Sequence, residues 1–182
     1  MFKKLFFITI NCFFAITIFA QSLVATDAGS AINFSIKNFG VTVTGTFTGL
    51  KGNILFDPGA PANASFNLSV NASTVNTGID SRDRHLKKED YFNVEKFPLI
   101  TFLSTKVSAS NKQGVFIVSG NITIKGTTQS ISFPFTAKAS QNGYLFTGTF
   151  KLNRRDFQVG SGSLILSDNL EVSFSVYAAS KT

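Results

Sequence analysis

Tryptophan is absent, and histidine and cysteine occur once each in the 182 residues. Each scarcity removes a class of chemistry. The single cysteine, Cys12, lies inside an apolar amino-terminal run, so no thiol is expected in the mature chain. That excludes disulfide staples, thiolate metal ligands and thiol nucleophiles. With one histidine, His85, and no mature cysteine, a zinc site is not expected, nor is any other resident cofactor. A Ser-His-Asp arrangement would have to use His85, which sits in a Lys- and Arg-rich stretch with no nucleophile elbow beside it. No Gly-rich phosphate loop precedes a helix. The formal charge of +7 falls to +5 without Lys3 and Lys4, and the remaining cations are scattered rather than patched. Nucleic acid is therefore not an expected partner. A weak, transient attraction to anionic membrane surfaces stays open.

What is abundant is phenylalanine: 21 Phe stand against 3 Tyr. Phe2, Phe6, Phe7, Phe13, Phe14 and Phe19 belong to the amino-terminal run. The others add bulk without a polar handle, so they are expected to face something apolar. The run itself reads as a signal peptide. Lys3 and Lys4 precede an apolar stretch from Leu5 to Phe19, and Ala20 offers a small residue before Gln21. It is short for a membrane-spanning helix, and Asn11 interrupts it. Residues 1–20 are thus expected to be cleaved and residues 21–182 to form one exported domain, periplasmic or secreted, large enough to bury a core.

Past the leader, residues alternate with period two. Ile32, Phe34 and Ile36 alternate with Asn33, Ser35 and Lys37. A second run, Phe47 to Phe56, is broken at Gly49 and Gly52. Further strands are expected around Phe66–Ala72, Ile100–Val107, Phe116–Ile124, Ile131–Ala137, Phe146–Leu152 and Leu170–Val176. Short turns such as Lys125-Gly126-Thr127 and Gln141-Asn142-Gly143 join them, which suits antiparallel neighbours. The fold class is all-β. A one-sided apolar sheet of about eight strands must close, and closure gives a barrel. The apolar face is expected inside: the chain lacks the aromatic girdles of a membrane barrel, and its polar faces are rich in Ser and Thr. Such a lumen either is filled by its own side chains or holds one small ligand. Gly120 and Gly148 fall on apolar faces and would remove bulk, which favours a cavity.

One stretch breaks the alternation. Ser73 to Pro98 is long and charged and contains His85, with Asp80, Arg82, Asp83, Arg84, Lys87, Lys88, Glu89 and Asp90 close by. Asp80 and Asp83 suit the first turn of a helix. A short helical insertion is expected around residues 80–92, carrying Leu86, Tyr91 and Phe92 toward the barrel. Its expected role is to close one end of an apolar tunnel.

Several motifs occur in a specific order. Gly45-Thr46-Phe47 leads to Gly52-Asn53-Ile54-Leu55-Phe56-Asp57, then Ser73-Thr74-Val75-Asn76-Thr77 and Arg82-Asp83-Arg84-His85-Leu86. Asp90-Tyr91-Phe92 and Phe97-Pro98-Leu99-Ile100-Thr101-Phe102 follow, then Gly120-Asn121-Ile122-Thr123-Ile124-Lys125-Gly126-Thr127. Arg154-Arg155-Asp156-Phe157 and Ser167-Asp168 complete the set. In this the chain resembles the YceI-like family of exported, lipocalin-like, polyisoprenoid-binding proteins, over essentially its whole mature length. The resemblance implies an eight-stranded antiparallel barrel whose apolar lumen takes an isoprenoid quinone or a polyprenyl chain, in a binding or carrier protein rather than an enzyme. The pattern departs at Asn38, where many relatives have His, and at Gln158, where Gly is common.

The lumen candidates, taken from the alternating faces, are Phe66, Leu68, Phe102, Phe116, Val118, Ile122, Phe133, Phe135, Phe146, Phe150 and Phe174. Candidates for orienting a headgroup at the mouth are Arg82, Arg84, His85 and Arg154. Two other readings stand beside the carrier: a filled barrel acting through its surface in stress response or adhesion, and an enzyme centred on His85. Edge pairing into a homodimer is also left open.

Overall fold

Alternation along one strand shows how the sequence builds the fold. In Val115–Ile124 every second residue (Phe116, Val118, Gly120, Ile122 and Ile124) is buried, and those between are not. Outward-facing hydroxyls pair across neighbouring strands, Ser119 with Ser132 at 2.9 Å, Thr123 with Thr128 at 2.8 Å and Thr136 with Thr147 at 2.8 Å. Such pairs stabilise a solvated face. The apolar face points in.

The computed structural model describes residues 21–180. The segment read as a signal peptide, residues 1–20 with Cys12, lies outside the described residues. The strands are β1 (Gln21–Thr26), β2 (Ala31–Asn38), β3 (Val41–Phe47), β4 (Lys51–Phe56), β5 (Ser65–Asn71), β6 (Leu99–Ala109), β7 (Val115–Ile124), β8 (Thr127–Ser140), β9 (Gly143–Asn153) and β10 (Leu166–Ser180). One α-helix, α1 (Asp80–Leu86), lies between β5 and β6. From β4 to β10 each strand pairs antiparallel with the next. β10 then closes the circle on both β1 and β2, through pairs such as Ala178 with Ala25 and Ser175 with Ala31.

Ten strand segments make eight staves. β1 and β2 are two halves of one bent strand along β10, and β3 and β4 are two halves of the next, pairing β2 and β1 respectively. One carboxylate ties the two bends together. Asp27, between β1 and β2, accepts the backbone N–H groups of Gly49 (2.8 Å) and Leu50 (2.7 Å), between β3 and β4. Gly49 has φ +75°, and a Cβ there would stand 2.9 Å from that of Asn71, so the bend requires glycine. The sequence reading identified eight strands but not β1 or most of β3. In Val41-Thr42-Val43-Thr44-Gly45-Thr46-Phe47 both faces are β-branched and the inward face lapses at Gly45, which blurs the alternation.

The two ends of the barrel differ. At one end Phe56, 1% exposed, meets the rings of Phe66, Phe116, Phe135, Tyr144 and Phe146 at centroid distances of 5.2–6.5 Å. This stack of rings is a plug. At the other end the chain leaves the sheet after β5. Segment 72–98 runs beside β3, held by Thr46 N–H to Asn76 O (2.8 Å) and Asn76 N–H to Thr46 O (3.1 Å), and returns through Ala72 N–H to Pro98 O (2.9 Å). From Val41 to Gly45 the outer edge of β3 has no strand partner among the described residues.

Candidate functional site

Above the plug the barrel is hollow. A cavity of about 410 Å³ runs from the upper surface of the ring stack to the end covered by segment 72–98. Its floor is Phe66, Phe135 and Phe146, and its walls include Ile32, Phe34 and Ile36 of β2, Val118, Ile122 and Ile124 of β7, and Leu170, Val172, Phe174 and Val176 of β10. The lining spans Ile32–Asn38, Val118–Ile124 and Leu170–Val176, six residue steps on each strand at roughly 3.3 Å per step, which makes the lined length about 20 Å. The volume falls in the usual range for small-molecule sites, roughly 300–1,000 Å³. Spread over that length it is slender. An apolar space of that length suits a chain. A filled barrel is thereby set aside, because the lumen is open.

Ten of the eleven lumen candidates line this cavity: Phe66, Leu68, Phe102, Val118, Ile122, Phe133, Phe135, Phe146, Phe150 and Phe174. Phe116 does not. It is 7% exposed, but lies in the plug, 5.3 Å from the Phe56 ring and stacked on Phe135 at 5.4 Å. Alternation places a residue on the inner face; it does not tell a wall residue from one beneath the floor. The glycines also need correction. A Cβ on Gly120 would lie 2.7 Å from the Phe102 ring, and one on Gly148 would lie 2.7 Å from the Phe174 ring. Their missing side chains make room for neighbouring rings rather than for open space.

The sequence list of wall residues also omitted several that the structure brings in, among them Phe34, Phe47, Phe92, Ile100 and Val172. Phe34 and Val172 lie on alternating faces already evident from the sequence. Phe92 comes from segment 72–98, where its ring meets Phe47 edge-on at 5.5 Å. Leu86 and Tyr91 reach the cavity from the same segment, as expected of a cover.

That cover is tightly built. Ile79 precedes α1 without a side-chain cap, and Asp83 reaches back from inside the helix instead. Its carboxylate accepts both the N–H and the hydroxyl of Thr77. Arg82 completes the knot, donating from Nε to Thr77 Oγ1 (2.7 Å) and from Nη2 to Thr77 O (2.8 Å).

The four headgroup candidates separate. Arg82 and His85 lie on the cavity wall, with the His85 ring 4.9 Å from that of Tyr91. Arg84 is exposed and off the wall. Arg154 lines the cavity but is 4% exposed, and its guanidinium is already engaged. It donates to Ser167 O (3.0 Å), Val159 O (2.8 Å), Ser161 O (2.9 Å) and Asp168 Oδ1 (2.7 Å). Arg154 therefore ties the loop after β9 to the start of β10. Among the described residues, the buried side-chain polar atom without a hydrogen-bond partner is a different one. Asn38 lines the cavity, and its side-chain oxygen is buried with no hydrogen-bond partner. Its departure from the family pattern was the sequence signal that could have placed it in the site. Among the described residues, no three His, Cys, Asp or Glu side chains are grouped to hold a metal ion.

A family model described as the YceI-like domain matches residues 24–178. The chain belongs to the YceI-like family. A UPF0312 protein of Yersinia enterocolitica is 32% identical over 154 residues, covering 80% of this chain and 78% of that protein. Among solved structures, BcnA of Burkholderia cenocepacia superposes with a TM-score of 0.80 at 23% identity, covering 86% of this chain and 99% of that one. A polyisoprenoid binding domain from Saccharophagus degradans, implicated in plant cell wall breakdown, gives 0.71 at 16% identity over 89% and 99%. At such identities these likenesses bear on the fold, and they show the YceI-like barrel.

Proposed function

We propose that the protein holds one isoprenoid lipid in its barrel, tail inward on the plug and head at the covered end, as an exported carrier or store rather than an enzyme. The observation that carries this reading is the slender apolar cavity of about 410 Å³. Apolar burial gives a chain its affinity, at ~0.8 kcal/mol per methylene before association costs are subtracted. The rings of Phe102, Phe133, Phe150 and Phe174 line the wall and offer an apolar surface to a branched, unsaturated tail. The Saccharophagus domain, described as polyisoprenoid-binding, supports an isoprenoid over a plain acyl chain. Lys3, Lys4 and the apolar run to Phe19 support export.

Asn38 sets the head. A buried carbonyl oxygen without a donor is costly, and a ligand hydroxyl would satisfy it. The preferred cargo is thus hydroxyl-headed, a polyprenol or the reduced form of an isoprenoid quinone. Titrating the ligand-free protein with a polyprenol should give saturable one-to-one binding; the absence of saturation would retire the proposal. Asn38→Leu should weaken polyprenol binding about 5- to 10-fold, roughly 1 kcal/mol, while leaving a headless hydrocarbon of matched length unaffected. Equal weakening of both ligands would remove Asn38 from head recognition.

A further inference from the structure

The turn joining β2 to β3 has the wrong residue for its geometry. Phe39 (φ 51°) and Gly40 (φ 76°) are the two central residues of a tight hairpin, both left-handed. Such turns favour Asn-Gly, because a bulky side chain strains the left-handed region and Asn tolerates it. Phe39 is also 73% exposed, so it contributes little packing in return. It is not alone. Val41 is 67% exposed, Leu164 fully exposed and Ile165 45% exposed. Two loops distant in sequence bring these four together, since Phe39 N–H donates to Ile165 O at 2.8 Å.

The patch adjoins the cavity. Asn38 and Leu166, chain neighbours of Phe39 and Ile165, pair with each other across β2 and β10, and both line the cavity. Two cations flank it. Lys37 precedes Asn38 and bonds Thr42 Oγ1 at 2.7 Å; Arg155 holds Gly160 O at 3.1 Å, at the base of the second loop. Neither is in an ion pair; among the described residues the one ion pair is Arg154 with Asp168. Asp156 is the acid beside Arg155 in the chain.

We infer that Phe39, Val41, Leu164 and Ile165 form a membrane-docking rim that inserts into an anionic bilayer surface and sets the cavity mouth against the lipid. Exposed apolar tips beside basic side chains are the composition of an interfacial anchor. Continuity with the mouth selects a bilayer as occupant, because the cargo then passes from membrane to cavity without crossing water. The inference rests on the proposed lipid-carrying function for its purpose, but its test reads out separately.

The test is flotation of the purified chain without the leader, residues 21–182, with vesicles of seven parts phosphatidylcholine to three parts phosphatidylglycerol, plus the rate of uptake of a polyprenol from the same vesicles. The wild-type chain should float with the vesicles and do so several-fold less with pure phosphatidylcholine. Phe39→Asn should cut the bound fraction and the uptake rate at least 5-fold while leaving the melting temperature equal or higher, because Asn suits the turn. Leu164→Ser should act the same way on binding. Equilibrium affinity for detergent-dispersed polyprenol should stay unchanged in both variants. A wild-type chain that ignores vesicles, or a Phe39→Asn variant that binds them normally, would overturn the docking rim. So would self-association abolished by the same substitutions without vesicle binding, which would make a second copy the occupant. Vesicle binding with no polyprenol uptake by any variant would instead count against the cavity's proposed cargo and leave the rim standing.

Discussion

Val172→Trp is expected to exclude the ligand and leave the barrel folded. Val172 is half-buried on β10, paired with Phe34 on one side and Phe150 on the other, and all three line the cavity. An indole at this position extends into empty space rather than into packed side chains, so the usual cost of overfilling a core does not apply. A tail of which three or four methylene units are displaced loses ~0.8 kcal/mol for each, about 3 kcal/mol in all, or roughly 100-fold in affinity. Polyprenol titration measures the loss, and thermal denaturation of the ligand-free protein should stay within about 3 °C of wild type. Val172→Ala serves as the opposite control, with a roomier cavity and binding largely kept. Full affinity in the tryptophan variant would place the ligand elsewhere.

Arg154→Ala should be the most destabilising of the single substitutions considered. Its four hydrogen bonds hold three backbone carbonyls and one carboxylate around a nearly buried guanidinium. Removing it leaves the Val159 carbonyl buried without its donor and Asp168 without its partner. Asp168 is 44% exposed, so water recovers part of that loss. A cost of about 3 kcal/mol follows, seen as a fall in melting temperature of roughly 6–12 °C. Lysine should recover less than half of it, because a point charge cannot reproduce the guanidinium fork. The loop it anchors also supplies Phe157 and Val159 to the cavity wall, so ligand release should quicken even below the melting range. A shift under 2 °C would mean that the loop is held by its apolar residues alone.

The barrel was legible in the sequence because its strands bury one face and solvate the other, and β7 keeps that rule for ten residues. The cover was legible for the opposite reason: a charged segment with Leu86, Tyr91 and Phe92 spaced along it cannot continue a sheet. Less was legible where two strands act as one. Gln21–Thr26 and Val41–Phe47 become part of bent staves only through pairing with β10, β2 and the Asp27 staple, all distant in the chain. Side-chain roles at the mouth were the least legible. Arg84 and His85 are adjacent in sequence and both exposed, yet only His85 also borders the cavity. Arg154, a headgroup candidate by its charge, is instead held by three carbonyls and the Asp168 carboxylate from segments its sequence neighbours do not reveal. Phe116 and Phe135 share an inner face, and only three-dimensional depth separates plug from floor. The unpartnered oxygen of Asn38 depends on what surrounds it, which no single-sequence pattern encodes.

The most direct test of the lumen as a lipid site is native mass spectrometry of the protein, purified without detergent from cells that make isoprenoid lipids. The predicted result is a chain carrying one added mass that organic extraction identifies as a single isoprenoid lipid, and that Val172→Trp abolishes. A bare mass in the wild-type protein, with no isoprenoid taken up on later incubation, would contradict it.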